Sequence, residues 1–334
     1  FFVIKCKFNV NIGIKFKELF NYLLEKINSS NFLDEPFEHI YIENFFNNDD
    51  FSQIINSKQI NLINFKNTQE LYNCLLKNGY EPEPFPGCTV DISKYCKWEK
   101  GNSRNYQNVD TTAGFGMAFR LKIPTNGIIR EIRDFINSEQ LKKVLCKKFK
   151  IDFDDVFGDM GVQKYLNGYE ISPHPDVQSK ALTFMVNINP GKHSETENFH
   201  THYMSFVDQK KYIYDFWKYN TQFDRCWVPW NWCNTVKQQN INNSIVIFKP
   251  SYQTLHAVKA KYNHLKFQRT QLYGNLWYKQ GSKKYKWSGP KEPQIPWQGL
   301  VIDESRGDEH VMSNSQYPII KVKNKIKKIL KTFL

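Results

Sequence analysis

The sequence predicts a mainly β protein, a sandwich or jelly roll with helices flanking it and a helical region ahead of it. Helical spacing of apolar residues marks the first third of the chain. From about Ala113, short strand-like segments separated by turn residues take over. Finally, 334 residues with 40% apolar and 16% aromatic side chains are enough to bury a large core.

In order, Phe16, Leu19, Phe20, Leu23, Leu24 and Ile27 follow one helical face. Asp49-Asp50 opens a second helix through Ile54-Ile55, and a third covers Thr68 to Lys77. Pro82, Pro84 and Pro86 break regular structure and predict a loop. GFGMAFRLKIP then reads as a strand. Residues 127–149 read as one helix, with Ile128, Ile129, Ile132, Phe135 and Ile136 on one face. Strands follow at 163–173, 180–189, 199–207, 211–216, 244–249, 254–259 and 266–278. The organisation expected is a supporting helical region at 1–112, a β domain at 113–278 and an extension at 279–334. That extension is rich in Lys, Pro and Gly until Ile319, Val322, Ile326, Ile329 and Phe333 form one face of a basic amphipathic helix. Such a helix docks on its own domain, on a partner or on an anionic membrane.

The formal charge is +13, but 39 of the 46 basic residues are Lys and only 7 are Arg. Asn, Ile, Phe and Tyr are abundant too, and all share AT-rich codons, so codon composition accounts for much of the excess. Arg is the side chain suited to bidentate phosphate contacts, and its scarcity argues against a nucleic-acid surface. The seven cysteines form no CxxC pair, and the sequence holds no secretory segment and no run of about 18 apolar residues. A reducing, cytoplasmic setting is expected. The chain opens on Phe1 rather than Met, which leaves a removed leading segment open.

The chemistry concentrates in YLNGYEISPHPDVQSKALTFMVNIN, residues 165–189. His174 and Asp176 are two apart at a strand end and so project to one side. With one distant His they complete the two-imidazole, one-carboxylate face that suits iron(II). His256 in HAVKA is the candidate, 82 positions away, and a jelly roll can bring the two together. Arg269 in KFQRTQLYGNLWY is a cation suited to a dicarboxylate.

Tyr165-x-x-Gly168, His174-x-Asp176, the HAV around His256 and the following Arg269 together resemble the 2-oxoglutarate and iron(II) dependent oxygenase superfamily, in its prolyl-hydroxylase-like and AlkB-like patterns. Lys180 and Thr183 open the next strand as in KxxT-containing relatives. The resemblance covers roughly 110–278 and implies a double-stranded β-helix core. It implies iron(II) on His174, Asp176 and His256, and 2-oxoglutarate anchored by Arg269, with Tyr165 in contact and Thr270 as the small hydroxyl partner. Dioxygen is the second cosubstrate, with ascorbate in a supporting role. Halogenating relatives lose the carboxylate, so Asp176 implies hydroxylation or a related oxidation, with succinate and CO2 released.

Two departures stand out. PGKHSETENFHTHYM takes the place of the usual Gly-Gly stretch, and the usual Arg-x-Ser is Arg269-Thr270-Gln271. The substrate expected is a peptide or protein side chain, an amino acid or another small metabolite. Oxidative demethylation of nucleic acid is the enzymatic alternative, although the second Arg of AlkB-type members is missing from RTQLYG. A jelly-roll binding module without turnover is the third reading.

His200 and His202, with His193 and Glu195, form a second cluster that reads as a rival metal site or as one pocket-lining and one solvent-facing imidazole. The aromatic run 212–232 reads equally as a substrate lid or as sandwich packing. Asp152, Asp154, Asp155 and Asp159 are spaced like a calcium loop, but Gln163 stands where an EF-hand needs Glu. Arg306-Gly307-Asp308 has no disulfide-bearing context and carries no function.

Overall fold

The computed structural model describes residues 19–85, 88–101, 116–125, 127–191, 193–220 and 227–280. The chain divides into two compact units, 1–301 and 302–334, and every described residue lies in the first. The expected C-terminal basic helix and Arg306-Gly307-Asp308 fall outside the described residues.

Two antiparallel sheets form the core. The strands are β1 (Ile40–Ile42), β2 (Tyr80–Glu83), β3 (Ala118–Leu121), β4 (Val156–Tyr165), β5 (Ile171–His174), β6 (Lys180–Asn187), β7 (Thr201–Phe206), β8 (Cys233–Gln239), β9 (Ile245–Phe248), β10 (His256–Val258) and β11 (Arg269–Tyr278). The larger sheet runs β1-β9-β6-β11-β4-β3-β2 and the smaller β5-β10-β7-β8. From β4 to β11 the chain crosses between the sheets so that β4, β11, β6 and β9 face β5, β10, β7 and β8. That order is the double-stranded β-helix expected from the sequence.

Strand alternation sorts the larger sheet into two chemistries. Leu272 and Leu276 of β11, Leu182, Phe184 and Val186 of β6, and Ile245 and Ile247 of β9 join the core beneath the helices. Their neighbours Tyr273, Met185, Val246 and Phe248 line the inside of the barrel. Both faces of these strands are covered, which is why β6 and β9 read as continuous apolar runs.

The helices are α1 (Asn21–Ser29), α2 (Asn48–Asn56), α3 (Thr68–Lys77), α4 (Ile92–Gly101), α5 (Gly127–Ile136), α6 (Glu139–Lys148) and α7 (Tyr212–Tyr219). Ile128, Ile129, Ile132 and Ile136 give α5 its buried stripe, each contributing roughly 1.5–3 kcal/mol by burial. Among the described residues no helix is long and apolar enough to cross a membrane. Cys74, Cys88, Cys96, Cys146 and Cys233 are free thiols.

Four differences from the sequence reading have physical causes. The helix expected over 127–149 is two, because the Ser138 hydroxyl accepts from Leu141 N–H and caps a new start. The strand expected at 211–216 is α7: Ile213 and Trp217, four apart, are buried, while Tyr212 and Tyr219 face solvent. β8 was not expected, because CNTVKQQ is a polar edge strand with only its ends buried. The first third is not purely helical, since β1 and β2 complete the larger sheet at its two ends.

Candidate metal centre and anion anchor

β5 and β10 pair with His256 directly opposite His174, and the ring centroids lie 4.4 Å apart. The chain then turns through Pro175, and Asp176 adopts a left-handed backbone, φ 64°. Asp and Asn tolerate this region better than most residues. The turn brings the carboxylate back to the imidazoles: His174 Nε2 is 3.6 Å from Oδ1 and His256 Nε2 is 3.8 Å from Oδ2. All three ligand atoms lie within 4.8 Å of one another.

Both imidazoles are oriented in the same way. Nδ1 of His174 meets the Ser172 carbonyl at 2.9 Å, and Nδ1 of His256 meets the Thr254 carbonyl at 2.9 Å. A carbonyl only accepts, so each Nδ1 carries the proton and each Nε2 turns a lone pair toward Asp176. Burial, then the neighbouring His174, lowers the His256 pKa to about 4 and keeps that ring neutral. The Thr254 hydroxyl donates to the Pro175 carbonyl at 2.9 Å and ties the two ligand-bearing turns together.

The carboxylate is held from both sides. Lys180 Nζ donates to Oδ1 at 2.7 Å, and the Thr183 hydroxyl donates to Oδ2 at 2.9 Å. Burial alone would raise the Asp176 pKa. The Lys180 ammonium outweighs it and holds the group well below the carboxylate range.

Arg269 begins β11 opposite Tyr165, the last residue of β4. Its side chain is 2% exposed, and Nη2 donates to the Thr201 hydroxyl at 2.9 Å. The guanidinium carbon lies 4.7 Å from the centre of the Tyr165 ring and 5.9 Å from that of Tyr169. No carboxylate among the described residues lies within ion-pair distance of it. A buried cation whose partners are a hydroxyl and aromatic faces could pair with an anion.

Thr270 is turned the other way. Strand alternation sends it to the opposite face, where it accepts from Lys164 Nζ at 2.8 Å and donates to the Gln268 carbonyl at 2.8 Å. Thr270, expected as the small hydroxyl partner of Arg269, therefore points to the face away from it. Gln271, two residues from Arg269, shares its face; Nε2 donates to Asn187 Oδ1 at 2.9 Å, and its buried Oε1 has no hydrogen-bond partner. The period of two in a strand was the signal for Gln271, and the sequence reading followed the residue next to Arg269 instead.

Sequence reasoning also missed the wall of the barrel. Phe37, from the segment before β1, packs with Met185, Tyr203, Val246, Phe248 and Tyr273. The Phe37 and Phe248 ring centroids are 5.3 Å apart, and those of Phe248 and His256 are 5.2 Å apart. Phe37 has no periodic neighbours in the sequence that would mark it.

His200 and His202 are not a second metal site. Thr201 between them faces Arg269, so they face away; His200 Nε2 donates to the Ser194 carbonyl and His202 Nδ1 meets the Thr235 hydroxyl. Among the described residues, the one group of three or more candidate ligands is His174, Asp176 and His256. In the aromatic run, Ile213, Trp217 and Val228 pack with β7 and β10, and the Val228 N–H donates to the Pro173 carbonyl; residues 221–226 lie outside the described set.

No family model matches this chain, and no curated protein sequence matches it. Similar solved structures exist. A Pseudomonas putida prolyl-4-hydroxylase matches at 10% identity and TM-score 0.31, over 62% of this chain and 97% of its own. A Trichoplax adhaerens prolyl hydroxylase, in complex with a hypoxia-inducible-factor peptide fragment, matches at 12% identity and TM-score 0.36, over 81% of this chain and 94% of its own. A full-length Neurospora crassa protein, in complex with alpha-KG and thymine, matches at 10% identity and TM-score 0.27, over 80% of this chain and 81% of its own. At such identities and scores, the strand order described above is the ground for the fold.

Proposed function

We propose that this chain is an iron(II)- and 2-oxoglutarate-dependent oxygenase, a hydroxylase acting on a peptide or protein side chain, an amino acid or another small metabolite. The observation that carries the reading is a buried Arg269 without a carboxylate partner among the described residues, in the same barrel as the three converging side chains. A structural role for Arg269 would call for an acidic partner, because burying an unpaired guanidinium is costly. A dicarboxylate cosubstrate supplies that partner.

In this reading, Nε2 of His174, Nε2 of His256 and the Asp176 carboxylate would hold the metal. Iron(II) held there supplies the dioxygen chemistry that couples decarboxylation of 2-oxoglutarate to oxidation of a C–H bond. Arg269 would fork the distal carboxylate, while the Thr201 hydroxyl accepts from the guanidinium and the Tyr165 ring lies near it. Phe37, Phe248, Tyr203 and Tyr273 keep water from the interior.

The test is succinate formation from 2-oxoglutarate by the full chain with iron(II) and dioxygen, alone and with panels of amino acids, peptides and nucleotides. Metal-dependent succinate that disappears in Asp176→Ala supports the reading. Metal binding with no succinate under any condition favours the binding module and overturns the proposal.

A further inference from the structure

Lys180 Nζ lies 2.7 Å from Asp176 Oδ1, closer to that oxygen than the His174 nitrogen at 3.6 Å. Both partners are secluded, with side chains 11% and 5% exposed. The ammonium is itself held in place: it donates to the Tyr273 hydroxyl at 3.2 Å and sits 5.4 Å from the Trp277 ring centre. A fixed side-chain cation thus shares the carboxylate.

We infer that Lys180 is the built-in counter-ion of the His174–Asp176–His256 centre and that it holds down the affinity of that centre for a divalent cation. The inference rests on the metal-site reading above. Two effects act in the same direction. In the metal-free state the ammonium neutralises a buried carboxylate and so stabilises that state. In the loaded centre a dication must share that carboxylate with a like charge that Tyr273 and Trp277 keep close by. Thr183 grips the other oxygen, so the carboxylate keeps one orienting hydrogen bond when the ammonium is removed. The charge of Lys180 therefore sets affinity rather than geometry.

The experiment compares the full chain, stripped of metal with a chelator, as wild type, Lys180→Met and Lys180→Arg. Mn2+ is titrated by calorimetry without cosubstrate, so turnover does not enter. Lys180→Met is expected to bind Mn2+ about tenfold tighter or more, and Lys180→Arg to return to the wild-type value. The melting-temperature gap between metal-free and Mn2+-saturated protein should widen in Lys180→Met, mainly because its metal-free form melts lower. If Lys180→Met does not fold, Lys180→Gln, which keeps a donor but no charge, is read in the same way. Equal or weaker Mn2+ binding by the folded neutral variant, against a wild type that binds, overturns this inference and leaves the oxygenase reading standing. Absence of Mn2+ binding in both proteins overturns both.

Discussion

At the scale of single residues, the proposed centre predicts that metal binding and cosubstrate binding respond to different substitutions. Asp176→Asn keeps a residue that tolerates the left-handed backbone at φ 64° but removes the charge. Its metal affinity is expected to fall by at least about 100-fold, read by Mn2+ titration, with little change in the circular dichroism spectrum. Arg269→Lys keeps a charge but loses the fork. It should weaken 2-oxoglutarate binding by about 30-fold or more, roughly 2 kcal/mol, while leaving Mn2+ affinity unchanged. A parallel loss of both affinities in Arg269→Lys would show that it does not act as an anion anchor.

Lys164, on the outer face of the same strands, supplies a pH signature. It is fully buried, donates to the Ile60 carbonyl and the Thr270 hydroxyl, and burial lowers its pKa to about 7. The unfolded chain holds this proton up to the ordinary lysine value near 10.5, whereas the folded chain holds it only up to about 7. Stability should therefore rise with pH between those values. Urea midpoints across pH 7 to 9.5 should climb in the wild type and flatten in Lys164→Met.

At the scale of elements, legibility followed burial pattern. β6 and β9 were visible because covering both faces leaves largely apolar runs. β8 was hidden because an edge strand needs few apolar residues, and α7 was misread because its aromatic side chains favour strands when considered one at a time. His174 and Asp176 stood out as a His-x-Asp pair, but the turn at Pro175 and the left-handed backbone of Asp176, outside β5, are what return the carboxylate to the imidazoles. Gln271 required the register of β11, and Phe37 required knowing which distant segment meets the barrel.

The turn between β4 and β5, which separates Tyr165 from His174, depends on close backbone approach. A Cβ on Gly116 would meet the Tyr169 backbone nitrogen at 2.2 Å and its Cα at 2.3 Å. Backbone cannot move aside as a side-chain tip can. Gly116→Ala is expected to cost about 3 kcal/mol in urea denaturation, while Gly127→Ala, where a Cβ would meet nothing within 4 Å, should cost nothing or stabilise slightly.

At the scale of the whole molecule, the class of fold was readable because the spacing of short strands and turns survives without any single strand being placed well. The supporting strands β1 and β2 were not, because each is only three or four residues long and borrows its partner from elsewhere in the chain. The proposed cofactor and cosubstrate bind only the folded chain, so they should report on the molecule as a unit. Saturating Mn2+ together with 2-oxoglutarate is expected to raise the melting temperature by about 5 °C or more, and neither should do so in Asp176→Asn.

Phe37 reaches His256 only through Phe248, and it comes from a stretch of chain more than a hundred positions ahead of every ligand. Enlarging or trimming that one ring would redraw the room available to a guest molecule without altering the strands that carry the imidazoles. Under the proposed function, fit of a guest molecule at Phe37 and metal binding at the imidazoles would draw on separate stretches of the chain.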